Sequence, residues 1–289
     1  TVSGCTLGLE NNSPLPKTTG LTMAARGTFD LAGFNAQGTG LTDNNITAQT
    51  FITNSSFVNV STLIFSNSAA SSTFGGHIRG GSKAIGVTVL RGNLTFSASN
   101  TFDGNLLISS GKLALSGPGS VFAGSAIVLS NSAAVLDLTG MNTLALTTGQ
   151  TLTGYGTVTG SVVAANGAIN PGANGAGGTL SISGNLNLNG GVTNQFDLLL
   201  DPNSAGNDLI NVGGTLNLSG LNTIKINPLA GSLFQGTYHL IQCASVGAGD
   251  ASNFQIIGSP GAGLQAALNV TPTGVDLVVS QSSDAAPGP

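Results

Sequence analysis

The chain has 289 residues, of which only 6% are charged, and seven Lys and Arg against eleven Asp and Glu leave a net charge of −4. A globular domain carries roughly 25% charged residues, so an ordinary enzyme surface is excluded, and seven scattered cations offer no basic face to a nucleic acid. Glu occurs once and Gly 44 times, which argues against helices, while a 40% hydrophobic content argues against a disordered chain.

In chain order, residues 1–20 hold Cys5, Glu10, Pro14, Pro16 and Lys17. The prolines break any regular coil, so this stretch is expected to be an N-terminal arm or cap. Residues 20–90 read as loose strands of irregular coils, for instance FITNSSFVNVSTLIFSNS at 51–68. From residue 92 onward one phrase recurs: a small residue, then apolar and polar residues in alternation, then Gly or Ala. Its instances include GNLTFSA (92–98), GKLALSG (111–117), AVLDLTG (134–140), GTVTGSV (156–162), GTLSISG (178–184), GNLNLNG (184–190) and GTLNLSG (214–220). Each reads as a short strand of period two, bounded by turn formers. Leu94, Leu113, Leu136, Val158 and Leu180 follow one another at nearly equal intervals, the mark of a structural repeat.

Short strands recurring at that interval, with Gly/Asn corners, fit an all-β parallel β-solenoid better than a sandwich of hairpins. Coils stack about 4.8 Å apart, so a charge in one coil would face its counterpart in the next. Two like charges at that distance repel by roughly 1 kcal/mol even in water. Neutral Asn, Ser and Thr avoid that cost and hydrogen-bond along the stack, which explains the scarcity of charge. The solenoid is expected over 21–200. FDLLLDPNSAGNDLI (196–210) interrupts the repeat, and 201–280 is expected to be a closing β segment continuous with the solenoid; 281–289 reads as a linker or tail.

The phrases LTFSASNTFDGNLLISSGKLAL (94–115), SAIVLSNSAAVLDLTG (125–140) and LTTGQTLTGYGTVTGSVVAANGAINPG (146–172) resemble the autotransporter-associated β-strand repeats of bacterial surface proteins. GTYHLIQC (236–243), NFQI (253–256) and GVDLVVS (274–280) resemble the closing segment of the same passenger-like proteins. The resemblance implies a right-handed parallel β-helix outside a bacterial cell, with a structural or adhesive role. It departs from that pattern in that no translocator barrel follows, so a free or otherwise anchored surface protein is expected.

Only two histidines occur, His77 and His239, and no nucleophile elbow, Cys metal pair or phosphate loop accompanies them. Asp137, Asp197, Asp201, Asp208 and Asp276 are dispersed. No catalytic residue, cofactor or membrane span is expected. Asp201, Asn203, Asn207 and Asp208 form a weak Ca²⁺ candidate, against which stands the ordinary use of Asx loops to bond their own backbone. His77, Arg79, Lys83 and Arg91 gather cations either for an acidic glycan or an acidic patch on a neighbouring subunit, or as a solvated turn that supplies solubility.

Cys5 and Cys243 are expected at opposite ends of a stack of about a dozen coils, too far apart for an internal disulfide. They would then either pair between subunits or remain buried thiols. The last strand, with Val275, Leu277 and Val279, reads as an open edge that recruits the next copy's N-terminal arm. The expected function is a non-enzymatic extracellular structural protein assembling head to tail into a fibre or surface layer. The alternative is a monomeric passenger-type adhesin for a glycan or host surface. Placing most Phe on interior-phase positions leaves no aromatic patch and favours the former.

Overall fold

The computed structural model describes residues 1–11, 16–43, 50–101, 103–117, 124, 126–141, 143–173 and 175–283. Pro14 and most of the 281–289 tail lie outside them. The described chain is all-β, with one short 3-10 turn at Ala251–Asn253 and parallel pairing almost throughout. It consists of two compact units, residues 1–142 and 143–289.

In the first unit each strand pairs in parallel with a strand one coil later. Thr6–Gly8, Thr28–Asp30, Phe51–Thr53 and His77–Ile78 make one ladder. Ala36–Gly38, Ser61–Phe74 and Ile85–Phe96 make another, which continues into Leu106–Ile108 and Gly111–Leu115. Alternation turns every second side chain inward, where identical phases stack: Phe29, Ile52 and Ile78 in one column, Leu63, Val87, Leu106 and Ile127 in a second. Leu94, Leu113 and Leu136 form a third, as their spacing predicts. All of these are buried, and each contributes about 1.5–3 kcal/mol of apolar burial. Residues 1–11 are no free arm: Val2 is buried and bridges to Met23, and Thr6–Gly8 is the first rung of a ladder.

Corners close where a coil passes tightly over the one before. Gly111 has φ +112°, and a Cβ there would run into the carbonyl oxygen of Gly92. Only glycine meets both demands.

In the second unit every coil feeds parallel ladders in the same way. One runs from Thr151–Gly154 through Ala168–Pro171, Thr193–Leu198 and Asn222–Pro228 to Phe254–Ile257. Its interior column is Leu152, Ile169, Asn194 and Ile224, with Ile256 half-buried at its end, so one amide sits among aliphatic side chains.

The coil length is not constant. The coil that joins Thr151 to its partner Ala168 is short, the one from Val162 to Leu186 is longer, and the one from Leu188 to Leu218 is longer again. Val158 accordingly stacks on Ile182 and not on Leu180, where an even repeat would have placed it. Extra residues leave as corner loops, while a slip of two preserves the inward phase.

The end of this unit is antiparallel. Gly274–Gln281 pairs with Gly236–Ala248 on one side and with Leu264–Thr271 on the other. Val275, Leu277 and Val279 are therefore interior, a correction to their expected place on an open edge. The hairpin turn completes the cover, since Cys243 and Val246 donate their N–H groups to the carbonyls of Thr273 and Pro272.

Candidate functional site

The most exposed apolar side chains of the described chain lie together in the first unit. Phe57 is 85% exposed, Val58 80% and Val60 64%. They occupy the loop between the strands Phe51–Thr53 and Ser61–Phe74, where looser strand was expected. Asn54 fixes the base of this loop. It is fully buried, and its Oδ1 accepts the N–H groups of Gly33 (2.8 Å) and Ser56 (3.2 Å). Its Nδ2 donates to the carbonyls of Asn59 (3.0 Å) and Ala84 (3.2 Å). Ser56 Oγ accepts from Val58 and Asn59, and Asp30 Oδ1 accepts from Ser55. The tip is thus stapled from below by side-chain bonds to three coils. Val60 also borders an open groove of about 490 Å³ that includes Gly86, Gly104, Asp103 and Leu107.

The gathered cations share this unit. His77 stacks on Phe51 with ring centroids 5.8 Å apart, and Arg79 holds its guanidinium 5.0 Å from the Phe51 centroid. His77 Nδ1 lies 2.7 Å from the Ser99 carbonyl. Lys83 sits in the coil directly over Asn54, because Ser82 donates its N–H to the Asn54 carbonyl at 3.0 Å and Ala84 accepts from the side chain. Arg91 is set apart, donating through Nε to Ser66 Oγ at 3.2 Å. Among the described residues no carboxylate is ion-paired with Arg79 or Lys83. Lys112 does pair with Asp137, at 3.0 Å. Burial alone would raise the Asp137 carboxyl, but bonds from Thr139 and Lys112 outweigh it and hold the group below the usual carboxylate range.

In the second unit, the Ca²⁺ candidates are spent on the loop itself. Asp201 Oδ1 accepts the N–H of Asn203 at 2.8 Å. Asn207 accepts from Leu199 through Oδ1 and donates to the carbonyls of Asp201 and Pro202. Asp208 is buried, and its two oxygens accept from Gly178 and Asp197, each at 2.7 Å. Oxygens aimed at N–H donors do not face a cation, and no group of three His, Cys, Asp or Glu is gathered among the described residues. Asn203, Asn207 and His239 border a shallow depression of about 380 Å³. His239 Nδ1 meets Asp276 Oδ1 at 2.7 Å across the antiparallel pair, with no nucleophile bonded to either among the described residues.

Cys5 and Cys243 are both free thiols. Cys5 is exposed, so the reading of two buried thiols fails for it; Cys243 is half-buried, and burial pushes its thiol up.

No protein-family model matches the chain, and no curated protein matches it. The loop tip was missed by sequence reasoning, although a signal was present. Phe57 and Val58 are adjacent, so a period of two sends them to opposite faces and at least one must be outside.

Proposed function

We propose that the chain is a non-enzymatic extracellular β-solenoid of the passenger type, a monomeric module on a bacterial surface that binds through its side. The observation that carries this reading is the use made of its carboxylates. Asp30, Asp103, Asp137, Asp197, Asp201, Asp208 and Asp250 all accept bonds from backbone N–H groups at corners or from neighbouring side chains. Groups so employed hold a scaffold, and the resemblance to autotransporter-associated repeats agrees with that role. Head-to-tail strand addition at Val275, Leu277 and Val279 loses its basis, because both edges of their strand are taken.

Head-to-tail assembly stays the second reading on one observation: Phe254–Ile257 has a ladder partner on one side only among the described residues, and Ile257 is exposed. Electron microscopy with light scattering on purified protein separates the two. Discrete monomers over a wide concentration range are expected; filaments with a repeat of one subunit would overturn the monomeric reading.

A further inference from the structure

The geometry points to an anionic lipid surface as the partner of the Phe57, Val58 and Val60 loop, with Lys83 and Arg79 meeting the headgroups. This inference names a partner for the surface module proposed above and rests on that reading.

Three large apolar side chains close together in one loop gain almost nothing from folding, and an exposed apolar patch of this kind marks a contact surface. Here the exposure is not that of a loose loop. The buried Asn54 makes four hydrogen bonds, and Ser56 fixes the turn above it, so the tip is held out in one conformation. Ordering costs are met on folding and not on binding.

Shape and area then select the partner. Phe57 and Val58 are almost wholly exposed and Val60 is about two-thirds so, and a flat interface accepts such side chains without a matching pocket. Phe57 and two valines offer a few hundred Å² at most, given roughly 150–250 Å² for an aromatic side chain, and a stable protein partner needs about 800 Å² per side. A second copy docked through this loop alone is therefore too small an interface. Valine side chains give a sugar nothing to hydrogen-bond.

Charge agrees with shape. Six of the seven Lys and Arg residues lie in the first unit, only Lys225 in the second. Lys83 is carried by the coil that bonds both faces of Asn54, and Arg79 is oriented by the Phe51 ring. Two acids lie by this region, and each has Oδ1 taken by main-chain N–H groups: Asp30 by Ala32 and Ser55, and Asp103, which borders the groove with Val60, by Ile85. Apolar insertion and cation pairing are the two signals that peripheral membrane attachment requires together.

The chain has no Trp, so Phe57→Trp places a single indole reporter at the tip. The expected result is a blue shift of its emission on titration with vesicles of phosphatidylcholine and phosphatidylglycerol, and little with phosphatidylcholine alone. In flotation, Phe57→Ser should weaken binding about tenfold and Lys83→Gln about fivefold, with circular dichroism unchanged because neither residue belongs to the core. No shift and no flotation with either vesicle overturns the inference. A shift that grows with protein concentration in the absence of lipid also overturns it, in favour of a second copy. Equal binding to both vesicle types overturns the part given to the cations. Filaments in the microscope would strike at the surface-module reading, whereas monomers that ignore vesicles strike at this inference alone.

Discussion

Asp208 Oδ2 accepts the backbone N–H of Asp197 at 2.7 Å, so one buried carboxyl holds the main chain of another. Asp197 is itself bonded by Gly175 N–H (2.6 Å) and by Asn227 Nδ2 (2.7 Å). Burial pushes the Asp208 carboxyl up to about 7, against its two N–H bonds and with help from the Asp197 charge.

This sets a pH dependence of stability. The folded value lies above the unfolded one near 3.9, so the folded state binds the extra proton between about pH 4 and 7. Stability contributed by Asp208 is full below pH 4 and falls as pH rises to 7, by at most ~4 kcal/mol. Asp137 acts oppositely, its contribution being lost only as pH falls below the ordinary carboxylate range. Urea unfolding at several pH values should show a decline from pH 4 to 7 that Asp208→Asn flattens; a wild-type curve flat over that window would contradict it.

Asn194 is fully buried between Ile169 and Ile224, and among the described residues neither its Oδ1 nor its Nδ2 has a hydrogen-bond partner. An unmade bond of this kind costs about 1–3 kcal/mol. Asn194→Leu, which keeps the branching of the side chain but is larger, should raise stability by up to that amount less any overpacking cost, and melting temperature by about 2–4 °C per kcal/mol. A drop in melting temperature would show that the amide is satisfied or needed.

The parallel coil and its inward phase were legible because alternation writes the buried face directly into sequence, as in Leu94, Leu113 and Leu136. Coil length was not. Corners are built from the same Gly, Ser and Asn as the strands, so the stretch 199–208 could add residues without disturbing the pattern, and Val158 met Ile182 instead of Leu180. The strand Gly274–Gln281 read correctly as strongly β-forming, yet nothing local distinguishes an edge from a centre. One of its partners, met at Gly236↔Val279, is a distant strand of the parallel coil, and the other, met at Leu268↔Leu277, is the near arm of a hairpin. The Asn54 staple joins Gly33, Asn59 and Ala84, separations that no short motif contains.

Two glycines with positive φ should respond unequally to alanine. Gly111 meets the Gly92 carbonyl and also carries φ +112°, whereas Gly149 has φ +80° with open space around it. Gly111→Ala should cost roughly 2–4 kcal/mol and Gly149→Ala about 1 kcal/mol. Equal losses in chemical unfolding would mean that coil packing at residue 111 is looser than described.

Register is tested most directly by cross-linking. Asn187 and Asn217 face outward in neighbouring coils, with Asn217 Nδ2 donating to Asn187 Oδ1 at 2.7 Å. Neighbouring parallel positions lie about 4.8 Å apart, within disulfide range. With Cys5 and Cys243 replaced by Ser, the pair Asn187→Cys and Asn217→Cys should oxidise readily to an internal bridge. The pair Asn187→Cys and Leu209→Cys, which an unvarying repeat would bring together, should not. Bridging of the second pair in preference to the first would contradict the stacking on which everything above depends.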